Sequence, residues 1–202
     1  MIEKNSGKIF RLPLDYDLGY AYCQTLDYTD IDPFNGRIAM VYDLIDKEKR
    51  ENVDLNKLMQ RPTIVGAHPM IKFPNSRGKD AWKLLGKVKL KIIPLIQFKY
   101  HLRATMEKDW TKLTCWRITG IGFESSNECV NYEKIRHLEI PVLYGKDSLI
   151  IRTTMYYLIK NNQKVSNFYN LKEFFERTIF IETVNTNFNK KTAIKLLKEL
   201  DD

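Results

Sequence analysis

The sequence predicts an α+β protein: a curved, mostly antiparallel, barrel-like sheet followed by a mixed extension that carries about three helices. Strand-like segments follow one another through residue 102, and helix-like periodicity is concentrated towards the C-terminus. Because no segment rich in proline, glycine or serine divides the chain, we expect a single domain over residues 1–202. The β-rich part (1–102) and the α+β extension (103–202) either share one core, or the extension forms a second subdomain.

The composition indicates a folded, water-soluble chain. Its 202 residues are 44% hydrophobic and 12% aromatic, which is enough to bury a substantial core. The sequence has no signal-like N-terminal segment and no apolar run of membrane-spanning length, so we expect a cytoplasmic protein without a membrane partner. Its three cysteines, Cys23, Cys115 and Cys129, are widely spaced and predict reduced, mostly buried thiols rather than a disulfide framework or a zinc site.

The net charge of +8 is unevenly distributed. It is −2 over residues 1–50, +8 over residues 51–112 and +2 over residues 113–202. An acidic front can attract a basic partner protein, and a basic middle can attract phosphate backbones. For the middle segment we favour a simpler interpretation, in which exposed lysines keep strand faces soluble and protect a sheet edge from pairing.

The clearest single element is a β-hairpin over Gly7–Leu26. Lys8–Leu12 shows a strand-like alternation, and Pro13, which donates no backbone hydrogen bond, suits a strand end. Asp15–Gly19 supplies the turn, and its glycine is free to adopt positive φ. The return arm, Tyr20–Leu26, is rich in residues that pack well on a pleated sheet.

Apolar periodicity divides the rest of the chain into further elements. Strands are predicted at Arg37–Ile45, Thr63–Ala67, Trp82–Leu90, Leu95–Leu102, Leu113–Phe123, Leu138–Tyr144 and Thr178–Val184. Helices are predicted at Val53–Met59 with Asn52 or Asp54 as the N-cap, at Leu149–Ile159, at Asn170–Arg177, and from Asn187 or Asn189 through Leu200. The segment Leu149–Ile159 is compatible with a strand as well, and we prefer the helix.

Several segments of the first half resemble a known family. They are Gly-x-Ile-Phe-x-Leu-Pro-Leu at Gly7–Leu14, Gly-Tyr-Ala-Tyr at Gly19–Tyr22, Val-Tyr-Asp at Val41–Asp43, Trp-Lys-Leu-Leu-Gly-Lys at Trp82–Lys87 and Pro-x-x-x-Phe-Lys at Pro94–Lys99. In content, order and spacing they look like the immunity protein 26 family of bacterial polymorphic-toxin systems, over about residues 7–100. The resemblance implies a cytoplasmic antitoxin that binds a cognate toxin domain and blocks it without chemistry of its own.

The residues that carry enzyme chemistry do not form a catalytic pattern in the sequence. His68, His101 and His137 lie far apart and show no metal-ligand spacing. Cys115 or Cys129 is compatible with His137 as a nucleophile and its base, but a buried thiol is the commoner role of a solitary cysteine. We therefore expect a protein that is not an enzyme and that has neither a cofactor nor a metal ion.

The preferred hypothesis is a protein-binding inhibitor that meets a basic toxin surface through acidic loops. The predicted partner-binding residues are Asp15, Asp17, Asp27, Asp30 and Asp32. The same aspartates also suit turn formation and solubility, and the sequence leaves both roles open. The toxin's identity, the stoichiometry of the complex and the oligomeric state do not follow from the residues.

The alternative hypothesis is a nucleic-acid-binding β-barrel module. Its basic face consists of Lys83, Lys87, Lys89, Lys91 and Lys99, with Trp82, Trp110 or Tyr100 as stacking groups. The acidic front of the chain opposes this interpretation because it repels phosphates, and tryptophans are more often buried than exposed.

Overall fold

The computed structural model describes residues 6–30, 36–73, 82–90, 95–120, 126–142 and 145–201 and confirms the α+β class. A five-stranded antiparallel sheet contains β1 (Lys8–Pro13), β2 (Tyr20–Tyr28), β3 (Gly36–Asp46), β4 (Thr63–Met70) and β5 (Lys83–Lys87), in the order β4-β3-β2-β1-β5. A second, two-stranded sheet pairs β6 (Gln97–Tyr100) with β7 (Arg117–Gly120). The helices are α1 (Leu55–Met59), α2 (Tyr132–Ile135), α3 (Lys146–Lys160), α4 (Phe174–Asn187) and α5 (Lys190–Leu196).

The larger sheet is open, so the predicted barrel-like closure is not formed by the described strands. β4 and β5 are its two edges. β5 carries exposed lysines at Lys83 and Lys87, which discourage pairing with another chain. The β4 edge is covered by side chains instead, because Glu139 accepts the Gly66 N–H at 3.2 Å and the Asn187 amide donates to the Ile64 carbonyl oxygen.

The predicted hairpin is confirmed. β1 pairs antiparallel with β2 from Lys8 opposite Thr25 to Pro13 opposite Tyr20. Gly19, at the end of the turn, has a φ of 130°, and a Cβ there would collide with the backbone carbonyl of Asp46 in β3. This position therefore requires glycine for both its backbone conformation and the close approach of β3.

Three predicted helices are confirmed, and two of them begin at a predicted N-cap. Asp54 caps α1 by accepting the backbone N–H groups of Asn56 and Lys57, and Asn189 caps α5 by accepting the Thr192 N–H. The ambiguous Leu149–Ile159 segment lies inside α3. Its threonine hydroxyls donate to carbonyl oxygens one turn earlier, which satisfies these polar groups within the buried helix.

The strand predicted over Thr178–Val184 is wrong, because this segment is the centre of α4. The helix begins at Phe174, with Glu173 rather than Asn170 at its N-cap position. From Ile179 to Thr186 every residue of α4 is buried, so the polar residues Glu182, Thr183, Asn185 and Thr186 do not mark the solvent-facing stripe that usually reveals helical periodicity. A continuous run of β-branched and apolar residues favours a strand on propensity alone, and packing against other helices overrides that preference.

The prediction of three reduced thiols is also wrong. Cys115, before β7, forms a disulfide with Cys129, before α2, across a sequence separation of 14 residues. Spacing gave no indication of the pairing, because the two cysteines approach each other only after the intervening chain turns back. Cys23 is free and fully buried in β2, and burial raises the pKa of its thiol.

Two hydrophobic clusters meet along α3. Leu149 and Tyr156 pack with sheet residues such as Leu12 and Val41. The opposite side of α3 joins α4, α5 and an aromatic group of Trp110, Trp116 and Tyr132, whose rings lie 5.2 to 6.4 Å apart. Because α3 belongs to both clusters, it carries the packing from the five-stranded sheet to the C-terminal helices.

Glu139 links the two sheets to the helices. The described residues of the predicted Leu138–Tyr144 strand form only a single parallel bridge, between Glu139 and Phe98. The Glu139 carbonyl oxygen accepts the Lys99 N–H at 2.8 Å. Its carboxylate reaches β4 at Gly66 and pairs with Arg152 of α3 at 2.5 Å. Glu139 and Arg152 are each about 2% exposed, so this ion pair lies almost entirely away from water.

Lys99 is another charged residue that is buried in this interior. It is fully buried, and its ammonium group donates to the carbonyl oxygens of Arg136 at 2.6 Å and Leu138 at 2.5 Å. Its Nζ also lies 5.0 Å from the ring centre of Trp110. Burial lowers the pKa of Lys99 to about 7, opposed mainly by the nearby Glu139 carboxylate.

Arg152→Met tests the buried ion pair. Removing the guanidinium leaves two buried carboxylates, Glu139 and Glu182, without their counter-charge, so we expect the free energy of unfolding to fall by about 3–5 kcal/mol in urea titrations. Lys57→Met removes an exposed ion pair with Asp54 and is the matched control, with an expected change of about 0.5 kcal/mol or less. Equal effects of the two substitutions would contradict the assigned role.

The buried lysine predicts a pH dependence of stability. Between pH 7 and about 10.5 the unfolded chain holds a proton on Lys99 that the folded chain releases, so stability rises with pH, by up to about 1.4 kcal/mol per unit. Burial raises the pKa values of Tyr42 and Tyr156 to about 12, so above about pH 10 stability falls again. Melting temperatures across this range should show the rise in the wild type and lose it in Lys99→Met. An unchanged slope in that variant would exclude Lys99 as its source.

Candidate functional site

The structure separates the predicted acidic residues into two groups. Asp15 and Asp17 lie in a 3₁₀ turn between β1 and β2, whereas Asp27 and Asp30 lie at the far end of β2. The nine residues of β2 hold the two groups about 25 Å apart. Asp32 lies outside the described residues. The four aspartates that the structure describes therefore do not form one continuous surface.

The Asp15–Asp17 turn is fixed against the C-terminal half of the chain. The Tyr169 hydroxyl donates to the Asp15 carboxylate at 2.6 Å, and the Asp15 N–H donates to the Thr154 hydroxyl of α3 at 3.1 Å. The Tyr16 hydroxyl donates to the Phe168 carbonyl oxygen. Contacts across more than 130 residues of sequence thus hold a turn of three residues in one conformation.

Tyr16 and Asp17 adopt an unusual backbone conformation in this turn. Their φ angles are 59° and 52°, in the left-handed region that costs a non-glycine residue about 1–2 kcal/mol. Tyr16 nevertheless remains 54% exposed, with its ring in edge contact with Phe168 and Tyr169 at 5.3 and 5.4 Å. Backbone strain that the surrounding structure maintains is concentrated at functional sites in proteins.

The first turn of α4 carries two exposed aromatic residues. Phe174 is 74% exposed and Phe175 is 48% exposed. Two adjacent large apolar side chains are seldom exposed to this extent. Glu176 is close enough to Tyr16 to act on its phenol: desolvation, then Asp15, then Glu176 raise the pKa of Tyr16. We call Tyr16, Asp17, Glu173, Phe174 and Phe175 the turn–helix surface.

This surface is locally acidic within a basic protein. The segments Asp15–Asp17 and Lys172–Glu176 contain four carboxylates and one lysine, against a net charge of +8 for the whole chain. Exposed aromatic residues surrounded by charged ones are typical of protein-binding surfaces, where the rings supply contact area and the rim supplies specificity. Sequence reasoning identified the aspartates and missed the aromatic residues, because adjacent phenylalanines in a helix usually indicate a core.

The second acidic group has a local structural role. The Asp27 carboxylate accepts both the backbone N–H and the hydroxyl of Thr29, at 3.3 and 2.7 Å. This arrangement is a side-chain turn that ends β2. Asp30 is exposed next to it.

The predicted nucleic-acid face is not assembled as the sequence suggested. Lys99, Trp82 and Trp110 are each at most 2% exposed, so none of them can bind or stack on a base. Lys83, Lys87 and Lys89 are exposed on or beside the β5 edge, and Lys91 lies outside the described residues. What remains of the predicted face is a row of lysines and Tyr100, which is 40% exposed, without the predicted tryptophans.

The candidate catalytic groups of the sequence do not converge. Cys115 and Cys129 are joined to each other, so neither is a thiol that His137 activates. His68 is buried against the Ser148 hydroxyl at 3.2 Å, and burial, reinforced by Arg152, lowers its pKa well below the usual value. No group of three or more histidine, cysteine, aspartate or glutamate side chains in the described part of the chain is arranged to hold a metal ion.

A cleft of about 400 Å³ lies between β4 and the Leu95–Gln97 segment, with Glu139 and Asn187 in its lining. The Glu139 carboxylate already accepts from Gly66 and pairs with Arg152. This cleft therefore offers no free general acid or base from that residue.

Comparisons with protein-family models, with curated proteins and with solved structures give no match for this chain. Among the residues that the structure describes, no helix combines the length and the apolar character needed to cross a membrane.

Tyr169→Phe tests how the turn is held. The substitution removes the hydroxyl that donates to Asp15 and keeps the packed ring, so we expect a loss of about 1 kcal/mol in the free energy of unfolding. Amide hydrogen exchange should become faster in the Asp15–Asp17 turn and remain unchanged at the opposite end of β2. Unchanged exchange in the turn would show that its conformation does not depend on this hydrogen bond.

Proposed function

We propose that this protein is a non-catalytic immunity protein, which binds a basic toxin domain through the turn–helix surface and blocks it by occlusion. The observations that carry the proposal are the exposed Tyr16, held in a left-handed conformation within an acidic turn, and the exposed Phe174 and Phe175, which precede Glu176, a carboxylate of α4 that acts on the Tyr16 phenol. The resemblance of residues 7–100 to the immunity protein 26 family supports it independently of this geometry. A cytoplasmic location belongs to the same proposal.

Charge complementarity indicates the chemistry of the partner. Toxin domains that act on nucleic acid present cationic sites, because they must bind phosphates. The local excess of carboxylates on the turn–helix surface matches such a site. The net charge of +8 opposes the approach of a basic protein at long range, but charges farther apart than about 8 Å are largely screened at physiological ionic strength. The local surface therefore decides the encounter.

The aromatic and acidic residues have separable roles in this proposal. Tyr16, Phe174 and Phe175 bury apolar area on binding and are expected to govern dissociation. Asp17 and Glu173 stay at the rim, where charges act mainly on the association rate. Asp15 is engaged by Tyr169 and contributes by holding the turn.

The first experiment identifies the partner. The C-terminal domain of a large secreted protein encoded immediately upstream would be co-expressed with this chain and assayed for growth inhibition. We expect a stable complex and rescued growth. Absence of both a complex and rescue would overturn the proposed function.

The second experiment locates the binding surface on the complex so obtained. Phe174→Ala is expected to weaken binding about tenfold or more, mainly through faster dissociation, because a buried aromatic contact contributes more than 1 kcal/mol. Asp17→Asn is expected to slow association instead. Ile71→Ala and Asp30→Asn, which remove an equally exposed apolar residue and an aspartate elsewhere, are the matched controls. A larger effect of either control would move the interface away from the turn–helix surface.

A further inference from the structure

The Cys115–Cys129 disulfide lies at the surface. Both cysteines are exposed, whereas Cys23 is fully buried in the sheet. Cys115 follows a short 3₁₀ helix that ends at Lys112, and Cys129 follows the polar segment before α2. Exposed disulfides are more easily reached by thiols and exchange more readily than those enclosed in a core.

The backbone at Cys115 is held away from its preferred conformation. Its φ is 62°, in the left-handed region that disfavours residues with a Cβ. The next residue, Trp116, is fully buried, and its carbonyl oxygen accepts the Val130 N–H at 2.7 Å. The chain is therefore anchored by a contact independent of the disulfide, so opening the bond frees Cys115 while the tryptophan keeps its place in the core.

A cleft of about 370 Å³ adjoins the disulfide, and both cysteines contribute to its lining. Thr114 and Asn131 give the cleft polar walls, and Lys190 gives it a cationic group. Glu133, the acidic group of the lining, faces Arg136 at 3.5 Å, which offsets its charge. The cleft thus suits a small polar molecule that carries carboxylates.

We infer that Cys115–Cys129 is a thiol–disulfide exchange site for a small carboxylate-bearing thiol of the glutathione type, and that it reacts while the rest of the chain stays folded. The inference rests on the exposure of the two cysteine residues, the anchored Trp116 and the adjoining cleft. It is independent of the proposed function, since this cleft is formed by a different set of residues from the turn–helix surface.

The exchange proceeds in two balanced steps. The thiolate of the small thiol attacks the sulfur of Cys129, the disulfide breaks, and Cys115 leaves with the bonding electrons as a thiolate. A second thiol then attacks the mixed disulfide, which releases Cys129 and yields the oxidised dimer of the small thiol. Two protons complete the two cysteine thiols, and oxidised thiol drives the reverse reaction.

The test uses the full folded chain and glutathione. Samples equilibrated across a series of reduced-to-oxidised glutathione ratios would be alkylated and their intact masses measured. We expect two labels per chain at reducing ratios and none at oxidising ratios, with Cys23 unlabelled throughout and the far-ultraviolet circular dichroism unchanged. Labelling of Cys23 together with the pair would mean that reduction requires unfolding, and a pair that stays closed at reducing ratios would equally overturn the inference.

A second comparison tests the cleft. Lys190→Met is expected to slow reduction by glutathione severalfold, and to leave reduction by uncharged 2-mercaptoethanol unchanged, because only the former carries carboxylates. Lys195→Met, which removes a lysine of the same helix that is not part of the cleft lining, is the matched control. Equal rates in wild type and Lys190→Met with glutathione would exclude recognition of carboxylates by the cleft.

Discussion

The buried ion pair between Glu139 and Arg152 is the interaction on which the assembly of this fold depends. The backbone carbonyl oxygen of Glu139 accepts from Lys99 in the smaller sheet, and its carboxylate accepts from Gly66 at the edge of the larger sheet. Arg152 connects that carboxylate to α3, and Glu182 brings in α4. Burying a charge costs free energy, and removing one member of this network would leave the others buried without an opposite charge. The network therefore fixes the relative position of the two sheets and the two long helices more strictly than apolar packing would.

The parts of the fold that follow local chemistry could be predicted from the sequence. The hairpin depends on Pro13 and Gly19. α1 and α5 begin after Asp54 and Asn189, and aspartate and asparagine are residue types that commonly cap helices. α4 could not be predicted in the same way, since its centre is buried on all sides and its polar residues do not mark an exposed face. The disulfide and the burial of Lys99 arise from contacts between distant segments, and no local pattern encodes them.

The candidate site divides along the same line. Asp17 could be identified from the sequence as an acidic residue of an exposed turn. Tyr16 could not, because contacts with Phe168 and Tyr169, more than 150 residues away, fix the position of its ring. The sequence alone suggests that Phe174 and Phe175 are core residues. In the structure they form the first turn of α4, which is exposed. The surface is thus built from both halves of the chain. Of the residues of this surface, only Tyr16 and Asp17 lie within residues 7–100, and Glu173, Phe174 and Phe175 lie in the C-terminal half.

The covering of the β4 edge has a consequence for shortened chains. The Ile64 carbonyl oxygen accepts from the side chain of Asn187, the last residue of α4. The Gly66 N–H donates to the side chain of Glu139, which lies far from α4 in the sequence. A chain cleaved or terminated before α4 would lose the amide of Asn187 together with the helix that holds it. The freed strand edge would then be a template for a second copy, so premature termination of this protein is expected to produce edge-to-edge aggregates rather than a smaller soluble domain.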